Sequence, residues 1–358
     1  MKFMERAIEL ALLGAGYVSP NPMVGAVIVK NNNIIGEGYH QKYGYSHAEV
    51  NAFLNAKEDT AGAEMYVTLE PCSHYGHTPP CAKAIIEHKI KKVYIGSLDP
   101  NPLVSGKGVQ MLKDAGIEVE TGIMEKECNA INPIFFKYIK TGLPYVVLKT
   151  AMTLDGKISA YSGDSKWITN EHSRQLVQKL RHQLKGIMVG INTVIKDNPS
   201  LTCRLESGMS PVKIIVDSNL KIPLNSKVLD ISKSHCIIAA AANSNPHKKA
   251  LLTAMGIEII ETTSNDGYVN LKELMAELAK RKIDSILLEG GGTLNFSMLS
   301  NNLVDKALFF IAPKIIGGAN SVTPVEGKGI SVMNEAIKLK NIQFKTIDDD
   351  ILIYGDLR

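Results

Sequence analysis

Thr68-Leu69-Glu70-Pro71-Cys72-Ser73-His74-Tyr75-Gly76-His77-Thr78-Pro79-Pro80-Cys81 leaves an apolar run, Met65 to Leu69, and enters a helical run from Cys81 to His88. A strand, a polar loop between two Pro-Cys pairs, and a helix make one unit of an alternating α/β layer. The pattern extends in both directions. Upstream, Phe3 to Ala15 has helical periodicity, and Val24 to Lys30 and Ile34 to Tyr39 are β-type runs. Asn31-Asn32-Asn33 joins those two runs with a hairpin signal, because asparagine tolerates the left-handed conformation a tight turn needs. A helix is expected from about His47 to Ala56. Downstream come a strand Lys92 to Gly96, a helix Gly108 to Ala115, a strand Ile117 to Glu120 and one amphipathic helix from about Lys126 to Lys140. Thr141-Gly142-Leu143-Pro144 then stops the helix, and an apolar strand begins at once. The expected domains are therefore 1–143 and 144–358.

The second half alternates as well. Strands are expected at Tyr145 to Ala151, Gly186 to Val189, Val212 to Val216, Cys236 to Ala240, Glu258 to Ile260 and Ser285 to Leu288. Helices are expected at Glu171 to Gln183, Pro246 to Ala254, Leu271 to Arg281 and Leu294 to Leu299. Lys306 to Ile311, Ile342 to Ile347 and Ile351 to Tyr354 read as late strands paired antiparallel around an Asp-rich turn. Neither repeats nor low-complexity stretches interrupt the series.

Composition narrows the function classes. The 358 residues are 45% hydrophobic and 21% charged, a balance that suits a globular chain with two cores. No apolar run is long enough to span a bilayer and no signal peptide stands out, so a cytoplasmic protein without membrane attachment is expected. Cys72, Cys81, Cys128, Cys203 and Cys236 are an odd set without secretory features, which argues for free thiols. A net charge of +4 and 6% aromatic residues do not make a nucleic-acid surface, whereas an anionic small molecule suits them.

Three short segments carry chemistry: His47-Ala48-Glu49, Pro71-Cys72 and Pro80-Cys81. Catalytic zinc takes three protein ligands and leaves its fourth position to water. One imidazole, His47, and two thiolates, Cys72 and Cys81, meet that count. Glu49 stands two residues from His47 at a helix start, close enough to act on the water without ligating the metal. Zinc lowers the pKa of bound water from 15.7 to about 7, and a neighbouring carboxylate can carry the released proton to a ring nitrogen and a departing amine. His-x-Glu with Pro-Cys is the zinc deaminase signature. A closed structural site would need a fourth ligand, which His74 or His77 could supply, but such a site has no use for Glu49.

The motif resembles that of the bifunctional riboflavin-biosynthesis deaminase/reductase family. Most nucleoside deaminases separate their cysteines by two residues, whereas eight lie between Cys72 and Cys81 here. Pro20-Asn21-Pro22-Met23-Val24-Gly25, Gly38-Tyr39-His40 and Asp99-Pro100-Asn101-Pro102 also resemble the family, and the likeness runs through nearly the whole chain. It implies a cytidine-deaminase-like first domain with a mixed sheet and helices. That domain would remove the 2-amino group of a diaminopyrimidinone ribosylamine 5′-phosphate by hydrolysis. Asn21, His40, His74, His77, Asp99 and Asn101 would line its pocket. Where this chain has His77 the family usually carries Lys or Arg, which implies a weaker or more pH-dependent grip on the substrate phosphate.

In the second half, Leu288-Glu289-Gly290-Gly291-Gly292-Thr293 follows a strand and opens a helix, where backbone N–H groups attract phosphate. The glycine spacing is not that of the dinucleotide fingerprint, and a plain tight turn fits the same residues. Lys149 to Lys157 follows a buried-type strand, and Asp197 to Arg204 is polar and loop-like and carries an arginine suited to phosphate. These segments resemble the reductase domain of the same family, which implies a dihydrofolate-reductase-like α/β domain and hydride transfer from NADPH to the ribose C1′. The resemblance assigns Ala151, Trp167, Thr193, Asp197, Gly291, Gly292 and Thr293 to NADPH. It assigns Lys149, Ser165, Arg181, Leu201, Arg204 and Glu289 to the substrate. On pattern alone, Arg181 is a solvated charge on a helix and Trp167 a core residue. A tRNA-type deaminase and a zinc-stabilised binding module are the competing readings. The first lacks a basic, aromatic groove and the second leaves Glu49 idle. The expected partner is a phosphorylated pyrimidine rather than nucleic acid or membrane, with a homo-oligomer formed through late edge strands.

Overall fold

The computed structural model describes residues 1–73, 75, 79–102 and 104–357. The chain divides into two compact units, Met1–Gly142 and Leu143–Arg358.

In the first unit, α1 (Lys2–Leu12) precedes the hairpin of β1 (Gly25–Lys30) and β2 (Asn33–Tyr39). Asn31 and Asn32 both have positive φ, at 51° and 64°, and close a two-residue turn of the kind that matches strand twist. Then follow α2 (Ala48–Leu54), β3 (Glu64–Leu69), α3 (Cys81–Glu87), β4 (Lys92–Ser97), α4 (Lys107–Asp114), β5 (Glu118–Thr121), α5 (Glu125–Ala130) and α6 (Pro133–Thr141). The sheet order is β2-β1-β3-β4-β5. The β1 pairings are antiparallel, and β3, β4 and β5 run parallel. Ile28, Met65, Val67, Val93 and Ile95 pack with Ala48, Ala52, Ile85 and Leu112 in one core. Met4, Ala7 and Leu10 of α1 meet Val27 and Val29 on the opposite side. The mixed sheet with helices is the cytidine-deaminase-like layer the resemblance implies.

One expectation fails here. The single helix over Lys126 to Lys140 is two, α5 and α6, because Pro133 lacks an N–H and drives the preceding residue out of the helical region. Asn132 has φ −119° and ψ 36°.

The second unit is built on nine strands: β6 (Tyr145–Thr153), β7 (Gly186–Gly190), β8 (Val212–Val216), β9 (Cys236–Ala241), β10 (Glu258–Thr262), β13 (Ser285–Leu288), β14 (Lys306–Ala312), β15 (Lys340–Ile347) and β16 (Asp350–Asp356). A short ladder, β11 (Ser264–Asn265) with β12 (Tyr268–Val269), stands apart. The helices are α7 (Glu171–Gln183), α8 (Ile191–Asp197), α9 (Pro246–Ala254), α10 (Leu271–Lys280) and α11 (Gly292–Ser300). The sheet order is β10-β9-β8-β7-β13-β6-β14-β16-β15, parallel from β10 to β14 and antiparallel through the final hairpin. Its central strands are continuous apolar runs, as strands covered on both faces must be. Val146, Leu148, Ile214, Ile286 and Leu288 form the core with Leu274, Leu278 and Met298. This is the dihydrofolate-reductase-like α/β organisation.

Two elements escape the sequence pattern. Ile191–Asp197 is helical despite its β-branched run, so Asp197 closes a helix rather than opening a loop. The ladder of β11 and β12 turns on Asp266-Gly267, both with positive φ. Among the described residues, no helix is long and apolar enough to cross a membrane.

Two candidate active sites

The first site lies at the carboxyl end of β3, where the chain leaves the sheet and reaches Cys72. Cys81 opens α3, and His47 is the residue before α2. His47 Nδ1 lies 3.3 Å from Cys81 Sγ and 3.6 Å from Cys72 Sγ, and one donor atom of each residue falls within 4.8 Å of the others. Ligand bonds of about 2.0–2.3 Å set tetrahedrally around one zinc would place donors roughly 3.5 Å apart, so the three residues fit the ion. The donor chemistry fits too. A hydrogen bond from Cys81 draws the Cys72 thiol well below its ordinary range, with help from His47. The Cys81 backbone N–H adds a donor 3.3 Å from Cys72 Sγ.

Glu49, in the first turn of α2, is 3% exposed, and burial pushes its carboxyl above the ordinary range. It lines a cavity of about 350 Å³ together with His47, Cys72, Asn21, His40, Asp99 and Asn101. The ring of His40 is buried and meets the His47 ring edge-on, centroids 5.3 Å apart. Its Nδ1 lies 3.1 Å from the Ser46 carbonyl, which can only accept, so Nδ1 carries the proton. Nε2 then accepts from Asn21 Nδ2 at 3.2 Å. Burial lowers the His40 pKa, in keeping with a neutral ring. Asp99 Oδ1 accepts from the Asn101 backbone N–H at 2.8 Å, which folds those two residues into one short turn. His74 and His77 lie outside the described residues.

Glu70, Tyr43, Tyr45, Phe135 and Ile139 also line this cavity and were missed from sequence. The aromatic residues come from a loop and from α6, elements with no recognisable spacing to the zinc motif.

The second site is in the other unit, where β6 and β13 run side by side. Leu148 pairs with Leu288, so Lys149 and Glu289 follow as neighbours. Glu289 receives two hydrogen bonds from Arg181, Nε to Oε1 at 3.1 Å and Nη2 to Oε2 at 3.0 Å. Lys149 Nζ stands 3.8 Å from Oε2. The Glu289 side chain is only 12% exposed. Burial alone would raise its pKa, but Arg181 and Lys149 outweigh that and hold it at about 2. Arg181 is thus a buried member of an ion cluster, not the solvated charge its helical position suggests. Its Nη1 also donates to the Thr202 carbonyl at 3.1 Å, which draws the Leu201 to Arg204 segment to the cluster.

A cavity of about 290 Å³ opens here. Lys149, Ala151, Ser165, Trp167, Arg181, Arg204 and Glu289 line it. Trp167 is 58% exposed, against the core reading, and carries the Arg174 guanidinium 4.6 Å from its ring centroid. Arg174 and Gln178, on α7 like Arg181, are lining residues the sequence did not single out. Both look like ordinary helix surface until the helix face is known.

Thr193, Asp197, Leu201, Gly291 and Thr293 lie beyond that lining. Leu201 is buried. Asp197 is exposed at the end of α8, and partial desolvation of its carboxyl raises its pKa against the pull of Lys166. Thr193 does stand beside Gly291: a Cβ on the glycine would lie 3.6 Å from Thr193 Oγ1. Gly292 is required for packing, since a Cβ there would come within 2.8 Å of the Thr323 carbonyl and 2.5 Å of Glu326 Cγ. Gly291 caps α11, and Gly292 and Thr293 begin it.

Residues 1–97 match the family described as the cytidine and deoxycytidylate deaminase zinc-binding region. Residues 144–353 match the RibD C-terminal domain. The riboflavin biosynthesis protein RibD of Actinobacillus pleuropneumoniae is 48% identical over 353 residues, 99% of this chain and 94% of that relative. The protein of the same description from Bacillus amyloliquefaciens is 44% identical over 350 residues, 98% of this chain and 94% of the relative. Among solved structures, RibD of Acinetobacter baumannii superposes with a TM-score of 0.90 at 39% identity, covering 99% of this chain and 98% of its own. A diaminohydroxyphosphoribosylaminopyrimidine deaminase/5-amino-6-(5-phosphoribosylamino)uracil reductase from Thermotoga maritima gives 0.87 at 38% identity, over 99% and 97%.

Proposed function

The chain belongs to the riboflavin-biosynthesis family that joins a deaminase to a reductase, and we propose that each unit of the molecule houses one of the two reactions. The enzyme is a zinc-dependent deaminase and an NADPH-dependent reductase. It hydrolyses the amine from 2,5-diamino-6-ribosylamino-4(3H)-pyrimidinone 5′-phosphate and then reduces the ribosyl group of the product to ribityl. The observation that carries the assignment to units is that each holds its own cavity with its own chemistry. One has three metal donors around a buried carboxylate; the other has an ion cluster of two cations and one carboxylate.

In residues 1–143, His47, Cys72 and Cys81 would hold zinc, which supplies an acidified water when bound. The Glu49 carboxylate takes one proton from the attacking water to the ring nitrogen, then carries the second, from the newly added hydroxyl, to the amine, which leaves as ammonia. Its burial keeps bulk water from competing for that proton. Asn21, His40, Asp99 and Asn101 orient the pyrimidine by hydrogen bonds, and by resemblance His74 and His77 complete the pocket.

In residues 144–358, NADPH supplies the hydride. Ala151, Trp167, Thr193, Asp197, Gly291, Gly292 and Thr293 are its proposed contacts. Lys149, Ser165, Arg181, Leu201 and Arg204 bind the phosphorylated substrate, and their cationic members suit its phosphate. Glu289 locks Lys149 and Arg181 in place. The substrate is a small phosphorylated pyrimidine, not a nucleic acid base. The enzyme works in the cytoplasm, where its cysteines stay reduced for zinc. It self-associates through the β15–β16 hairpin, whose Ile342 and Phe344 are 60% and 77% exposed.

Mass spectrometry of the diaminopyrimidinone ribosylamine phosphate, incubated with zinc-loaded enzyme with and without NADPH, tests this reading. Replacement of an amine by oxygen without NADPH, then gain of two hydrogens once NADPH is added, is the expected result. An unchanged substrate with zinc bound would sink it.

A further inference from the structure

Glu70 is the last residue before the Pro71-Cys72 turn, and it is 5% exposed. Among the described residues its carboxylate accepts four hydrogen bonds, each from a backbone N–H group. Oε2 takes Asp99 N at 3.2 Å and Gly106 N at 3.0 Å. Oε1 takes Gly108 N at 3.0 Å and Val109 N at 3.2 Å. Three of those donors belong to the first turn and cap of α4, whose N–H groups have no partner within the helix. The fourth belongs to Asp99.

One side chain therefore ties the strand end that delivers Cys72 to the segment that delivers Asp99 and Asn101. The approach is close. Gly108 lies so near Pro71 that a Cβ on it would sit 2.0 Å from the Pro71 carbonyl. The Glu70 backbone N–H adds a bond to Ser97 O at 2.8 Å, fixing the same two chain segments at their bases.

We propose that Glu70 is a positioning residue of the deaminase site, holding the Asp99–Asn101 turn at its working distance from the zinc donors. This rests on the reading above that Asp99 and Asn101 bind the pyrimidine. Glu70 takes no part in proton transfer and does not touch the metal; it acts through Asp99. The carboxylate is suited to this because both oxygens accept, and four donors converging on one anion leave it a single orientation.

Glu70→Gln keeps the shape but turns one acceptor into a donor facing two N–H groups. The expected result in the full-length enzyme is normal zinc content, an unchanged reductase rate on preformed deaminated substrate, and a deaminase KM raised about tenfold with a smaller fall in kcat. Asp99→Asn and the double variant decide the route. If Glu70 acts through Asp99, Glu70→Gln adds little in the Asp99→Asn background. Wild-type deaminase kinetics in Glu70→Gln, loss of zinc from it, or full additivity with Asp99→Asn would each overturn the proposal. Glu70→Asp guards against a variant that does not fold: its shorter carboxylate retains the charge and is expected to give an intermediate KM. A KM equal to that of the wild type would count against the proposal. Should Asp99→Asn itself leave the KM untouched, the assignment of Asp99 to substrate fails instead, and the two failures are told apart.

Discussion

Replacing Glu289 by glutamine removes the carboxylate that pairs with Lys149 and Arg181 and leaves those two side chains, 15% and 14% exposed, facing an amide. The size of the effect follows from the carboxyl's own titration. Its pKa in the folded protein is about 2, against an ordinary value of 4.5. Because the folded value is the lower, Glu289 contributes stability above the unfolded pKa and loses it as pH falls through the folded one. At about 1.4 kcal/mol per unit, the contribution is about 3 kcal/mol at pH 7, within the range for breaking a buried ion pair. At pH 3, where the unfolded carboxyl is protonated and the folded one largely is not, it shrinks to about 1.4 kcal/mol.

Trp167 is the single tryptophan and sits in the second unit, so its fluorescence during urea unfolding reports that unit. Unfolding wild type and Glu289→Gln at pH 7 and again between pH 4.5 and 3 gives the difference at each pH. A gap of about 3 kcal/mol that narrows below pH 4.5 is expected. A gap under about 1 kcal/mol at pH 7, or one that stays constant down to pH 3, would refute the claim that an ionised Glu289 holds the cluster.

Other substitutions separate the two activities. Glu49→Gln is expected to lower deaminase kcat by about 10²- to 10⁴-fold while zinc stays bound and the reductase rate on deaminated substrate is unchanged. Paired assays on one preparation check this. Cys72→Ser should cost the protein its zinc, measured by elemental analysis, and silence the deaminase alone. His77→Lys should lower the deaminase KM and flatten its rise above pH 6.5, since a lysine keeps its charge where a histidine with an ordinary pKa of about 6.5 loses it. Parallel KM profiles for the two enzymes would remove phosphate binding as the role of His77.

How much of this was legible beforehand depended on distance along the chain. Metal donors and Glu49 come in short segments with fixed local spacing, and strand-loop-helix geometry turns that spacing into a cluster. The hairpin at Asn31-Asn32 and helices such as α7, α9 and α10 were legible for the same local reason. The break at Pro133 was also written in the sequence, but amphipathic periodicity on both sides masked it. Arg181 was another matter. It stands 108 residues from Glu289, and nothing in an amphipathic helix tells which charge turns inward until the sheet decides which face is covered. Glu70 was hidden by its setting: it stands inside the Thr68 to Cys81 motif, where the cysteines carry the reading and no local spacing gives the carboxylate a role. Its four partners lie 29 to 39 residues away.

Sheet topology accounts for both sites with one rule. In open α/β sheets, ligands collect beyond the carboxyl ends of parallel strands, where neighbouring loops diverge and helix N-termini present free N–H groups. β3 and β4 are parallel neighbours, and past their ends come Glu70, Cys72, Asp99 and Asn101. β13 is parallel to both β6 and β7, and past it comes Glu289; past β7 comes Thr193, and within the longer β6 come Lys149 and Ala151. The chemistry differs because the loops differ. One carries soft donors and a histidine, the other cations and glycines. The placement does not differ, and it explains why a residue such as Glu70, without any part in the reaction, can still govern it. At a strand end the loops bearing the reactive groups share no hydrogen-bond ladder, so a side chain must fix the distance between them.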